Sequence, residues 1–175
     1  MATSSMAASS MASSMTTESV QLPAQDPCME LNKTFTHILQ DFGFDALPKE
    51  SVIQIFKDGR VFSHFIEHWL TIHYPLTHIK GCKSYDFTAK NDTAIQYDQK
   101  TFTSGGCRFM PSNMIGEGRS FDQTIFEEKA KKLIYIIVSN INFPRIKVKA
   151  VKGIDLIVLY PKGVISSKDH DKFFN

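Results

Sequence analysis

Two aspartates and a lysine stand out by type and spacing in the middle of the chain. Asp98 and Lys100 are two positions apart among β-forming residues, so in a strand their side chains share one face. Eleven residues separate Asp98 from Asp86. Two carboxylates a few ångströms apart repel each other and hold a hard divalent cation well, and Mg²⁺ suits an open site because it keeps several waters. A neighbouring lysine can orient or deprotonate an attacking water and stabilise a pentavalent phosphorus transition state.

The turn between the two strands decides whether Asp86 joins the other two side chains. A two-residue turn at Asn91-Asp92 opposes Asp86 to Tyr97 and places it on the wrong face of the hairpin. A three-residue turn, or one bulge, opposes Asp86 to Gln96 and brings the three charged side chains together. The predicted site therefore depends on the register of this hairpin.

The order Asp86, eleven residues and Asp98-x-Lys100 resembles the Asp…(Asp/Glu)-x-Lys signature of the restriction-endonuclease-like nuclease superfamily. The resemblance covers roughly residues 49–160 and is strongest to a small type II restriction endonuclease. It implies an Mg²⁺-dependent endodeoxyribonuclease that hydrolyses phosphodiester bonds of double-stranded DNA, with sequence specificity and usually as a homodimer. It makes Asp86 and Asp98 metal ligands, Lys100 the catalytic lysine, and Glu67, on an upstream helix, an additional catalytic carboxylate.

The DNA contacts are expected just after the signature strand and in the basic part of the chain. Residues 129–175 carry ten Lys and Arg against three Asp, which is compatible with a polyanionic partner. Arginine can read guanine and asparagine can read adenine, while lysine contacts phosphate. The candidate DNA-binding residues are Arg108, Ser112, Asn113, Arg119 and Lys129.

Two other functions fit parts of the same sequence. A module with this fold could bind nucleic acid without catalysing its hydrolysis. The pattern His64-x-x-Glu67-His68 places two imidazoles on one helix face, as in a zinc hydrolase with Glu67 as general base. Its third ligand would have to be Glu127 or Glu128. Alternatively, the two histidines simply flank a core-facing stripe.

Periodicity predicts that the elements positioning these residues form an α/β (α+β) fold with a central mixed sheet flanked by helices. The resemblance implies that this fold is a restriction-endonuclease-like core. A helical N-terminal segment comes first, and the hairpin, a helix and further strands follow. The predicted helices cover 29–42, 48–58, 60–73, 121–132 (capped by Ser120) and 169–174; the predicted strands cover 84–89, 93–103, 133–138, 145–151 and 154–160, with a turn at 90–92.

Composition bounds the domain organisation and the location. Residues 1–27 are rich in Ser, Ala and Met and are expected to be a flexible leader, with residues 28–175 forming the nuclease domain. Three cysteines without a CxxC exclude a disulfide scaffold and favour a reducing, cytoplasmic compartment. The resemblance to restriction endonucleases implies a bacterial or phage origin. Plastid targeting by the leader stays open. No apolar run reaches the roughly 18 residues that a membrane span needs, so no membrane partner is expected.

The homodimer expectation also has a basis in the residues. The N-terminal helices carry more apolar bulk than one sheet face is expected to cover, so we expect them to contribute the interface. The side chains concerned are Phe35, Leu39, Ile55, Phe56, Phe62, Phe65 and Trp69.

Overall fold

A six-stranded mixed sheet organises the chain, and helices cover both of its faces. The computed structural model describes residues 29–40, 43–44, 46–81 and 84–175. The expected leader, Cys28 and Cys82 therefore lie outside the described residues. The elements in chain order are β1 Thr34–Ile38, α1 Lys49–Lys57, α2 Gly59–His73, β2 Leu76–His78, β3 Phe87–Ala89, β4 Gln96–Phe102, β5 Cys107–Arg108, α3 Gln123–Ala130, β6 Ile134–Ser139, β7 Arg145–Lys152, α4 Gly153–Leu159, β8 Val164–Ile165 and α5 His170–Phe174.

The sheet order is β1-β7-β6-β4-β3-β2, while β5 and β8 form a separate pair. Only β4 and β6 run parallel within the large sheet; the other described pairs are antiparallel. The mixed α/β architecture with a helix-flanked mixed sheet, as expected from the sequence, is therefore confirmed.

Each face of the sheet has its own apolar core. On one face α1 and α2 pack through residues such as Phe62, Ile66 and Leu70, which are fully buried. On the opposite face α3, α4 and α5 pack around Tyr135 and Phe126. The β4 residues alternate between the two cores, as strand geometry requires.

The first predicted helix is wrong, because residues 34–38 form β1 at the sheet edge. Asn32 adopts a left-handed φ of 63°, which interrupts any helix through this segment. The sequence Thr-Phe-Thr-His-Ile alternates and is rich in β-formers, and it pairs residue by residue with β7 from Thr34↔Lys149 to Ile38↔Arg145. Long-range pairing thus outweighs the apolar spacing that suggested a helix.

The strand predicted over 154–160 is also wrong, because this run forms α4. Gly153, Leu156 and Ile157 are buried, whereas Val158 and Leu159 are exposed. A continuous apolar run shows neither the alternation of a strand nor the 3.6-residue repeat of a helix. The sequence alone therefore does not distinguish a strand from a short helix there.

A third correction concerns the cap of α3. Asp122, not Ser120, accepts a hydrogen bond from the Ile125 amide at 3.0 Å and begins the helix.

Candidate functional site

The strand β4 carries the centre of the candidate site on the face opposite α2. Ser63 on α2 donates a hydrogen bond to Gln99 Oε1 at 2.9 Å, so Gln99 faces that helix. Asp98 and Lys100 alternate with it and face the other core. Lys100 Nζ lies 2.9 Å from Asp98 Oδ1, and this ion pair is largely shielded from solvent. The two residues of the Asp-x-Lys pattern are therefore in direct contact.

Asp86 reaches the same place from the neighbouring strand. Its Oδ2 accepts a hydrogen bond from the backbone N–H of Gln99 at 2.7 Å, just where β3 stops covering β4. The hairpin register is Phe87↔Tyr97, and five residues connect the last hydrogen-bonded positions, Ala89 and Ile95. The Asp86 N–H then donates to Tyr97 O at 2.9 Å, so Asp86 and Phe87 both meet Tyr97, and the regular pairing does not set Asp86 opposite Gln96 as the three-residue turn required. The side chain of Asp86 thus lies at the edge of β4 beside the ion pair.

Burial dominates the electrostatics of Asp98. It raises the pKa of this carboxyl to about 6, against a favourable interaction with the charge of Lys100. The negative charge of Asp86 raises the pKa of Asp98 further, and Lys129 lowers it. Asp86 acts on Asp98 from the residue just before β3, and Lys129 acts from α3. Asp86, Asp98, Lys100 and Lys129 therefore form one electrostatic cluster.

Two buried oxygens at this cluster accept or donate no hydrogen bond among the described residues. They are Asp98 Oδ2 and the hydroxyl of Tyr135, which is the register partner of Asp98 on β6. Burial and the charge of Asp98 raise the pKa of Tyr135, so its hydroxyl stays protonated. A buried carboxylate oxygen without a partner is costly unless another group contacts it.

The donor set fits a hard divalent cation with few protein ligands. Within the described part of the chain, no three His, Cys, Asp or Glu side chains are grouped to hold a metal. Asp86 and Asp98 supply two carboxylates, and the free Oδ2 of Asp98 offers a ligand atom. Mg²⁺ is bound in this way in many phosphoryl-transfer sites, with water and substrate oxygens completing six positions.

Glu67 lies on the other side of the sheet from Asp98. It is on α2, where its Oε1 lies 3.5 Å from Ser63 Oγ and its Oε2 lies 3.4 Å from His78 Nε2. The structure does not bring it to the carboxylate pair. Its partners are on α2 and β2 instead.

The His64 and His68 pair likewise has no third ligand near it among the described residues. His68 packs near His78, with ring centroids 5.9 Å apart. Glu127 and Glu128 are on α3, which packs against the opposite face of the sheet. The residues required for the zinc-hydrolase alternative are therefore not assembled.

The expected DNA contacts lie at three different positions: on β5, in the loop over 112–119 and, for Lys129, on α3. Arg108 is exposed on β5, beside Lys100. Ser112 and Asn113 form a short 3₁₀ turn, and the Arg119 guanidinium donates to the backbone oxygens of Ser112 and, at 3.0 Å, Ile115. Arg119 thus stabilises the fold of this loop.

A cleft of about 460 Å³ adjoins the cluster along the edge of β4. One wall is the start of α2, including Gly59 and Arg60, and the other contains Lys100 and Arg108. Arg60 was not predicted from the sequence, because only the docking of α2 against β4 places it beside the site.

No protein-family model matches this chain, and no curated protein or solved structure is significantly similar to it. The described helices include none that is long and apolar enough to cross a membrane.

Proposed function

We propose that this chain is an Mg²⁺-dependent endodeoxyribonuclease with a restriction-endonuclease-like core. The observation that carries the proposal is the cluster on β4: Lys100 contacts one oxygen of Asp98, the other oxygen is buried without a partner, and Asp86 lies alongside. The Asp…Asp-x-Lys resemblance and the basic cleft next to the cluster support it.

In the proposed reaction a water attacks the phosphorus of a DNA phosphodiester, and the bond to one sugar oxygen breaks. Asp86 and Asp98 would hold Mg²⁺, which supplies neutralisation of phosphate charge and a lowered water pKa when bound. Lys100, fixed by Asp98 at 2.9 Å, would orient the attacking water and stabilise the additional negative charge on phosphorus. The leaving sugar oxygen takes up a proton, so the products are a phosphomonoester and a hydroxyl.

Sequence specificity and assembly belong to the same proposal. Ser112 and Asn113 lie on a short turn after β5 and are candidates for contacts with base edges. The homodimer has less support than the sequence suggested, because Phe56 and Phe62 are buried within the protomer. Ile55 is 43% exposed and is available for an interface. Light scattering with and without DNA distinguishes a dimer from a monomer.

The direct test is cleavage of plasmid and linear duplex DNA by the full chain, with and without Mg²⁺. The variants Asp98→Asn and Lys100→Ala should cut at least about 100-fold more slowly than the wild type. Asp155→Asn and Lys162→Ala change exposed residues of the same types away from the cluster and should leave the rate unchanged.

Metal binding gives a readout that does not depend on turnover. Calorimetric titration with Mg²⁺ should show binding to the wild type and a large loss of affinity for Asp86→Asn and Asp98→Asn. If the wild type binds DNA but does not cut it with Mg²⁺ or Mn²⁺, the protein is a non-catalytic DNA-binding module. If Asp98→Asn cuts DNA at the wild-type rate, Asp98 is not a catalytic residue.

A further inference from the structure

We propose that the cleft beside β4 holds the sugar–phosphate backbone of the strand that is cut, with Arg60 and Arg108 as its phosphate contacts. The proposal rests on the proposed function, because it takes nucleic acid as the substrate. It adds the path that the strand follows across the protein and two residues that fix it there.

The cleft is built by a close approach of α2 to the end of β4. A Cβ on Gly59 would lie 2.8 Å from Cγ2 of Thr103, so a larger residue would force either the Thr103 side chain or the helix to shift. A hydrogen bond from Ser63 to Gln99, at 2.9 Å, joins the helix to the strand, and a second bond, from Gln99 Nε2 to Thr101 Oγ1 at 3.2 Å, holds the Gln99 side chain in place along β4. The two walls are therefore held at a fixed separation.

The charge on these walls favours an anion. Arg60, Lys100 and Arg108 line the cleft, and the one carboxylate among the lining residues is Asp58. Asp58 is already engaged, because it accepts hydrogen bonds from the backbone N–H groups of Arg60 at 2.8 Å and Val61 at 3.4 Å. Arg60 Nε also lies 4.0 Å from Asp58 Oδ1, but the Arg60 side chain is 95% exposed, so its guanidinium can leave this loose contact and reach a phosphate with little desolvation.

The backbone of β4 adds a donor of fixed position. The N–H of Gln99 points away from β6, towards Asp86, and the N–H of Thr103 donates to Gly106 O at 3.0 Å. N–H groups two residues apart point to the same side of a strand, so the N–H of Thr101 also points to this edge. Beyond Tyr97, no described strand pairs with β4 on that side. A phosphate oxygen in the cleft can therefore accept from Thr101 as well as from arginine.

The cleft is continuous with the catalytic cluster through Lys100. This side chain lines the cleft and also contacts Asp98 Oδ1 at 2.9 Å. A backbone lying against Arg60 and Arg108 thus passes the carboxylates at one end. The phosphates bound by the arginines would be neighbours of the phosphate that reacts, and their contacts would position it.

The test measures binding separately from cleavage. A short fluorescent duplex is titrated with the full-length Asp98→Asn protein in EDTA, with and without Arg60→Ala and Arg108→Ala. Between about 50 and 200 mM salt, each arginine removed should weaken binding about tenfold and reduce the slope of log affinity against log salt by about 1. Arg60→Lys should recover the slope, because it keeps the charge.

The matched control is Arg145→Ala, an exposed arginine on β7, which β6 separates from β4. It should leave the affinity and the slope unchanged. The same titrations of the metal-free wild type check that Asp98→Asn has not altered the cleft.

The two proposals fail in different ways. If the wild type cuts DNA but the arginine variants bind with unchanged affinity and slope, the proposed binding of the backbone in the cleft is wrong. The nuclease proposal is unaffected by that result. Wild type that never cuts, combined with weakened binding by the arginine variants, supports the cleft and removes the catalytic proposal. Equal losses of DNA affinity in Arg145→Ala and in the cleft variants also contradict the proposed cleft site, because DNA then binds to basic residues over the whole surface.

Discussion

Replacement of Asp98 by Asn should stabilise the metal-free protein near neutral pH, although Asp98 is central to the proposed activity. Burial raises the pKa of Asp98 to about 6, whereas the ordinary value is 3.8. Ionisation is therefore harder in the folded protein than in the unfolded chain. Asn has nearly the same shape, stays neutral, and offers Lys100 an amide oxygen in place of the carboxylate.

The sign and size of the effect follow from the two pKa values. Below pH 3.8 the carboxyl is protonated in both states and contributes no difference. Between pH 3.8 and about 6 the unfolded chain loses the proton while the folded protein keeps it, so stability falls as the pH rises. Above that range the full penalty is present, and it amounts to about 3 kcal/mol at about 1.36 kcal/mol per pKa unit.

The assay is urea unfolding followed by circular dichroism in EDTA, at about pH 4 and about pH 7.5. Wild type and Asp98→Asn should have similar free energies of unfolding at the lower pH. At the higher pH the variant should be more stable, by up to about 3 kcal/mol. Asp155→Asn, on the exposed side of α4, is the matched control. A difference that is the same at both pH values, or a variant that is less stable at pH 7.5, would refute the reasoning.

Four further substitutions test other parts of the structure. Gly153→Ala should cost about 3 kcal/mol of stability in urea unfolding, because its Cβ would meet the backbone oxygen of Ala130 at 2.0 Å. Gly43→Ala, whose Cβ would meet nothing within 4 Å, should change stability by less than about 0.5 kcal/mol. Asn140→Ala should cost about 2 kcal/mol in the same assay, because the buried Nδ2 satisfies the last carbonyls of α1. Glu67→Gln should cut DNA at the wild-type rate. A large loss of cleavage rate would show that Glu67 is a catalytic residue after all.

The elements with strong periodicity were predictable from the sequence, whereas those fixed by distant pairing were not. The helix over 60–73 agrees with α2, and the strands over 133–138 and 145–151 agree with β6 and β7. The segment 29–42 was assigned wrongly to a helix, because the strand β1 depends on hydrogen bonds to β7, which is distant in the sequence. The strand β2 is three residues long and carries no periodic signal of its own.

The candidate site divides in the same way. The shared face of Asp98 and Lys100 follows from strand geometry, so it needs no tertiary information. The position of Asp86 depends on a five-residue connection whose length no turn motif in the sequence specifies. The role of Arg60 depends on the contact of Gly59 with Thr103, which joins two elements far apart in the chain.

The half-covered edge of β4 has a consequence for solubility. A strand edge with unpaired N–H and C=O groups is a template on which another chain can add a strand, and such edges drive aggregation unless charges protect them. Here Asp86 occupies the N–H of Gln99, and Lys100 lies beside the exposed stretch. The residues proposed to act on DNA therefore also protect the sheet from self-association. A variant that makes both of them neutral should aggregate at concentrations at which the wild type stays in solution.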